Sequence, residues 1–386
     1  MPGAQGAEQK IRDQWVASFN EKHPSIKVNA DFVVANLDQK IQTRIAGGDP
    51  PDVLQTDATR FGQFVRKNIY RPLDDLITRD KINKADYFDV LLPAFQFQGK
   101  TYGIPKDNGS TALAYNIAHF DAAQAPYPND DLTWDSMLDI AKKLTKKEGD
   151  KISQYGLLVN PVFSNYYPFI LQNGGDVFSK DLSSFEMASP PAAEALQWIG
   201  DLANKHGVAP TPDVANDIGN EAAFLAGKVS MYYVWASSIG NLRAIKSFDW
   251  DIVQLPKRKQ RGDQVNGAAF PMYAGTKKVD AAWEMCKWTF GPDGERIFVI
   301  GPLAKDVPSL KALQPELLKE APPPKNQKAK FDALEYGTPF QGPAKWGEIS
   351  TAMTKELDDI WRGKATAQAV TARLKPIIDP LLKESS

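Results

Sequence analysis

Two carboxylates hold the most chemical promise in this chain. Asp57 follows Thr56 at the end of a short apolar run, Val53-Leu54, and Asp107 lies in the polar turn Lys106-Asp-Asn-Gly109. A carboxylate can accept two hydrogen bonds at once, each stronger than a neutral pair, so either could serve a polar ligand. Two carboxyl groups flanking one glycosidic bond could also cleave it. Asp57 has a third possible task, capping a helix that starts near Ala58. With 47 acidic residues in 386, some pair near any ligand is expected from composition alone, so the residues by themselves leave binding and hydrolysis both open.

Other chemistries lack their residues. His23, His119 and His206 are far apart and have no metal-ligand spacing. There is no Gly-x-Ser-x-Gly elbow, no phosphate-binding glycine loop ending in Lys, no dinucleotide fingerprint and no Cys-x-x-Cys. No metal and no cofactor is therefore expected. The single cysteine, Cys286, falls in an apolar helical stripe, which excludes a disulfide within the chain and reads as a buried thiol. A net charge of -1 without a basic stripe argues against nucleic acid. No apolar stretch reaches the roughly 20 residues of a membrane span. Nine Trp and twelve Tyr supply large amphipathic rings, which suit stacking on sugar C–H faces, although most such rings fill cores.

The elements that must position these groups follow from spacing. Leu37, Ile41 and Ile45 repeat every four residues, an amphipathic helix that Gly47-Gly48 can stop and Pro50-Pro51 keep from resuming. Val53-Leu54 then reads as a strand with Thr56 and Asp57 at its carboxyl end, where open α/β sheets bind ligands. Ile26, Val28, Ala30 and Phe32 alternate with polar residues, predicting another strand and, with the helix between, a parallel βαβ unit. Strands are also expected at Tyr102–Pro105, Ala112–Tyr115, Val229–Val234 and Phe270–Ala274. Thr133 is placed to cap a helix from Trp134 to Leu144. Further helices are expected at 192–203, at 222–226, around Trp283 and in a tail holding Ile349, Leu357, Ile360 and Trp361. A chain of this length calls for two lobes.

The run from Pro50 to Leu76 resembles the extracellular solute-binding proteins of ABC importers, in the cluster that includes maltose-binding proteins. Seven further segments match in the same order: Gly99-Lys-Thr-Tyr-Gly-Ile-Pro105, Ala112-Leu-Ala-Tyr-Asn116, Leu132 to Ala141, Asn173-Gly-Gly175, Gly207-Val-Ala-Pro210, Phe224 to Met231, and Ala281 to Trp288. Each motif is weak alone, but their order covers most of the chain.

The resemblance implies a two-lobed α/β fold of the periplasmic-binding-protein type II, hinged between lobes. The first lobe would hold residues 1–108 and 266–306, and the second 109–265 and 307–386. It implies capture of a carbohydrate between the lobes and delivery to ABC permease subunits, by a monomer that is periplasmic or held at the cell surface after export, without chemical change to the ligand. A carbohydrate-active enzyme or the sensing subunit of a receptor stays open beside it. Glycerol-phosphate binders share the cluster, and Lys106 or Arg60 could serve such a ligand.

Position by position, the resemblance nominates Thr56, Asp57, Thr59, Asp107 and Asn108 for ligand hydroxyls. It nominates Tyr166, Tyr167, Trp235 and Trp346 as aromatic platforms. Gly267, ahead of Phe270, would allow close backbone approach, and Lys305 matches a basic position near the third crossover. One departure stands out. Relatives open with a strand before the first helix, whereas here Met1-Pro-Gly-Ala-Gln-Gly6 runs straight into a helical pattern of Ile11, Trp15 and Phe19. No signal peptide or lipid-attachment cysteine is visible there. The expectation is a trimmed chain whose first lobe lacks that strand.

Overall fold

The computed structural model describes residues 2–32, 37–300 and 307–384. The chain forms two compact units, the first from Met1–Gly109, Asn266–Glu320 and Pro339–Gly342, the second from Ser110–Val265, Ala321–Thr338 and Pro343–Ser386. The boundary expected after residue 306 falls instead at 320/321. Its cause is apolar: Leu310 and Leu313 pack into the first unit's core with Leu73, Trp283 and Phe290. The four-residue return Pro339–Gly342 also belongs to the first unit. It docks where Gly62 has no side chain, because a Cβ there would lie 1.8 Å from the Gly342 carbonyl oxygen. Gln341 Nε2 adds bonds to the carbonyls of Ala94 and Gln96 at 3.3 and 3.0 Å.

The second unit is built on a mixed sheet of five strands: β1 (Thr111–Asn116), β2 (Lys146–Glu148), β3 (Lys151–Leu158), β4 (Val229–Trp235) and β5 (Trp250–Gln254), in the order β2-β3-β4-β1-β5. Every residue of β1 is buried, as suits a central strand covered on both faces. β1 runs antiparallel to both β4 and β5, and only β3 and β4 are parallel. The helix Trp134–Leu144 opens with a reciprocal cap. Thr133 Oγ1 accepts from the Ser136 N–H at 3.2 Å, and Ser136 Oγ accepts from the Thr133 N–H at 2.9 Å. Helices Phe163–Gln172, Pro190–Asn204, Trp346–Trp361 and Ala367–Lys383 complete the layer around it.

In the first unit the strand pairings are short. Helix Leu37–Ala46 ends at Gly47-Gly48, with Gly48 in the left-handed region at φ 76°. The expected strand from Val53 forms only a single bridge to Met272, then a two-residue ladder of Thr56–Asp57 with Ala268–Ala269. Phe270–Ala274 likewise makes isolated bridges, through Met272 and Tyr273, rather than a strand. The alternating segment from Ile26 to Phe32 forms no ladder among the described residues. Its apolar residues Ile26 and Val28 pack instead against Trp15, Phe19 and Trp288, while the Val28 N–H is taken by Asn20 Oδ1 at 2.9 Å. Strand pairing in this unit is antiparallel among the described residues, so the parallel βαβ expected here is not formed. The first described element is the helix Pro2–Lys22. Cys286 is buried and unbridged, its thiol pushed up to about 12 by burial. No described helix is long and apolar enough to cross a membrane.

Candidate functional site

In the first unit the sequence-nominated residues converge on one backbone position, Ala268. Asp57 is its ladder partner, and Asp107 Oδ1 accepts its N–H at 2.6 Å. The Lys106 N–H in turn bonds the Ala268 carbonyl at 2.8 Å. Gly267 permits this closeness, since a Cβ there would lie 2.5 Å from the Asp107 carbonyl oxygen. The glycine thus serves an approach of backbone to backbone. Asn108 and Gly109 extend the seam through bridges to Val307 and Asn266.

Asp57 does cap the helix Ala58–Val65. Its Oδ1 accepts from Thr59 N at 2.9 Å, from Arg60 N at 3.1 Å and from Thr59 Oγ1. Its Oδ2 faces Arg60 Nη1 at 3.3 Å, and the side chain keeps 37% of its surface exposed. Capping and the Arg60 pair therefore use different oxygens of one carboxylate. An Asp57→Ala variant is expected to cost about 1 kcal/mol through the lost cap, whereas Asp57→Asn should unfold in urea close to the parent. Thr56 is buried, its hydroxyl turned to the Asp57 carbonyl at 3.3 Å.

Asp107 pairs with Lys106, and both side chains are almost fully buried. Lys106 Nζ also lies 4.5 Å from the Phe298 ring centroid. Asp57 and Asp107 thus lie near each other, each already holding a cation and N–H donors. Asn108 is 2% exposed, with neither Nδ2 nor Oδ1 bonded within the protein. Phe270 is half-buried against Trp15, ring centroids 5.4 Å apart, and belongs to an apolar cluster. Lys305 lies outside the described residues.

In the second unit the rings sort differently from the sequence expectation. Tyr166 and Tyr167 are 4% and 2% exposed. Tyr166 packs on Trp361, and the Tyr167 hydroxyl donates to Asp176 Oδ1 at 2.9 Å. Burial pushes the Asp176 carboxyl above its usual range. Phe163, Trp235 and Trp346 are half-exposed. Phe163 stands edge-on to Trp346, at 4.8 Å and 74°, and stacks on Tyr167 at 5.1 Å. Trp235, at the end of β4 opposite Thr111, donates its indole N–H to Ser164 Oγ at 3.2 Å.

Polar groups that no motif singles out lie in the same unit as these rings. Asn165 Oδ1, and both Nε2 and Oε1 of Gln264, are buried without a partner in the protein. Gln264 is placed by its neighbour Asp263, whose carboxylate accepts from the Thr111 and Gln264 N–H groups, each at 2.8 Å. Asp263 is fully buried, which pushes its carboxyl up to about 8. The helix start at Phe163 was the available signal: residues 163 and 167 share a face, but Phe163 stands at its open end with no turn before it, while Tyr167 is covered.

Among the described residues no group of three or more His, Cys, Asp or Glu is arranged to hold a metal. His119 Nδ1 lies 2.9 Å from Ser230 Oγ, and burial lowers its imidazole to about 4.

Comparison with known proteins follows this geometry. The chain is 22% identical over 290 residues to a lactose-binding protein of Rhizobium radiobacter, an alignment covering 71% of this chain and 66% of that one, just under two thirds. An ABC substrate-binding protein of Listeria monocytogenes, solved in complex with cycloalternan, superposes with a TM-score of 0.88 and 26% identity over 97% of this chain and 96% of its own. The UgpB protein of Mycobacterium tuberculosis, solved with glycerophosphocholine, shares the fold at a TM-score of 0.81 and 17% identity, over 97% and 95% of the two chains. The family of bacterial extracellular solute-binding proteins matches residues 14–333, and the chain belongs to it.

Proposed function

We propose that the protein captures an oligosaccharide outside the cytoplasm, as a monomer, and passes it unchanged to the permease subunits of an ABC importer. The observation that carries this reading is in the second unit: three half-exposed rings, Phe163, Trp235 and Trp346, set among buried amides without protein partners. A sugar presents C–H faces that stack on rings and hydroxyls that both donate and accept, so rings beside amides match both halves of its surface. We assign Asn165 and Gln264 to its hydroxyls, with Ser164 fixing the Trp235 indole. In the first unit we assign Asp57 Oδ2, Thr59 and Asn108 to ligand hydroxyls. Tyr166, Tyr167 and Phe270 act behind the contact layer, as packing. The lactose-binding and cycloalternan-bound relatives support the carbohydrate class.

A thermal-shift panel of mono- and oligosaccharides tests it. A ligand at 100 times its Kd should stabilise the protein by about 2.7 kcal/mol, and no shift with any carbohydrate would remove the reading. The bound sugar should be recovered intact after prolonged incubation. Accumulating cleavage product would instead restore the carboxylate pair as a hydrolytic site.

A further inference from the structure

Asp263 is wholly buried, and its carboxyl is bonded by backbone N–H donors rather than by a cation. One oxygen accepts from Thr111 and the other from Gln264, each at 2.8 Å. Its own carbonyl accepts from the Thr338 N–H at 2.9 Å. One residue thus ties together three stretches of the second unit that are far apart in sequence. The stretch it belongs to has little else to hold it, since Gln264–Val265 forms only a two-residue ladder with Thr338–Pro339.

Two of the tied stretches carry groups assigned above to the ligand. Thr111 opens β1 directly opposite Trp235, and Gln264 is itself one of the amides. We propose that Asp263 is the positioning residue of this sugar-binding face, and that its neutral form holds the face in the binding arrangement. This rests on the carbohydrate reading above and adds its regulation.

The direction follows from what surrounds the carboxyl. Two N–H donors favour the anion, but the loss of all water disfavours it more, and the carboxyl is pushed up to about 8. The braced arrangement therefore holds the proton more tightly than a loosened, wetter one would. Raising the pH through 8 shifts the balance towards the loosened arrangement, and a ligand that needs the braced one binds more weakly. Other titratable groups facing the carboxyl stay silent in this range. The hydroxyls of Tyr233, on β4, and of Tyr336, just after the turn Asp332–Glu335, are both held above the usual phenol range by burial, with the Asp263 charge adding to the shift. Arg261, Asp130 and Asp332 act on Tyr336.

Calorimetric titration with an oligosaccharide that raises the melting temperature in the panel above, lactose first, tests this from about pH 7 to about pH 9. The Kd is expected to rise about three- to tenfold, tenfold being the limit for one acid of pKa about 8 over that span. Sugar hydroxyls do not titrate there, so binding near pH 8 should take up a fraction of a proton, read from the dependence of the heat on buffer ionisation enthalpy. Asp263→Asn cannot ionise and keeps one acceptor. Its affinity should be weaker than the parent's at neutral pH and flat with pH, while Glu295→Gln and Tyr233→Phe keep the parental slope. A parental slope in Asp263→Asn, or its loss in Glu295→Gln, would overturn the inference and leave sugar binding intact. So would a parent whose affinity is flat and whose binding takes up no proton, a result that decides the matter even where Asp263→Asn does not fold. A protein that binds no sugar at any pH would overturn the parent reading, and this one with it.

Discussion

A Tyr167→Ala protein is expected to lose about 3–5 kcal/mol of stability, the usual range for deleting a fully buried aromatic ring. Tyr167 is 2% exposed, stacks on Phe163 and gives its hydroxyl to Asp176. Its removal opens a cavity and leaves a buried carboxyl short of a donor. Trp346→Ala and Trp235→Ala should behave differently. Both rings are half-exposed, so their loss should spare most of the stability while weakening sugar binding by about 1–3 kcal/mol through lost stacking and buried area. Urea unfolding and calorimetric titration of the three variants separate the two roles. A Tyr167→Ala protein with parental stability, or Trp variants with parental affinity, would reverse the assignment.

The second large effect is of pH. Asp263 and Glu295 are both fully buried, and burial raises each carboxyl to about 8 from 3.8 and 4.5 respectively. Asp263 faces the N–H groups of Thr111 and Gln264. Glu295 faces those of Ser309 and Leu310, with the charge of Asp107 adding to its upward shift. The folded state therefore keeps protons that the unfolded chain releases above about pH 4. Stability from these groups is complete below that point and drains away as pH rises towards 8. Each contributes at most about 1.4 kcal/mol per pH unit across the window.

At the acid end the half-buried Asp80 and the exposed Asp75, held ionised by Arg79 and Arg71, pull the other way. The melting temperature should peak in mildly acidic buffer and fall on approach to pH 9. Glu295→Gln should flatten that descent, and a parental profile in this variant would show that another group carries the slope.

Local signals were the legible part of this fold. The glycine stop at Gly47-Gly48 and the Thr133 cap depend on a few neighbouring residues, and both formed as their chemistry dictates. The strands at Thr111–Asn116 and Val229–Trp235 were legible because burial on both faces leaves a continuous apolar run. The segment from Ile26 to Phe32 failed for the opposite reason. Alternation says which face is apolar, but Ile26 and Val28 satisfied that face against Trp15, Phe19 and Trp288 without any ladder.

The candidate site divided along the same line. Asp57, Asp107 and Asn108 stand out in the sequence because turn chemistry marks them. Phe163, Asn165 and Gln264 do not, because which ring is left open depends on where the helix begins and which amide lacks a partner depends on the whole packing. Tyr166 and Tyr167 looked equivalent to Phe163 in composition, and only the helix start at Phe163 separates them.

The short return of Pro339–Gly342 to the first unit has a consequence for biosynthesis. The Gly342 carbonyl fills the space beside Gly62, so the helix Ala58–Val65 cannot finish packing until that carbonyl has been made. A ribosome adding about 5–20 residues per second reaches Gly342 some 10–50 s after releasing Gly109. Throughout that interval the amino-terminal hundred residues must wait without their closing piece.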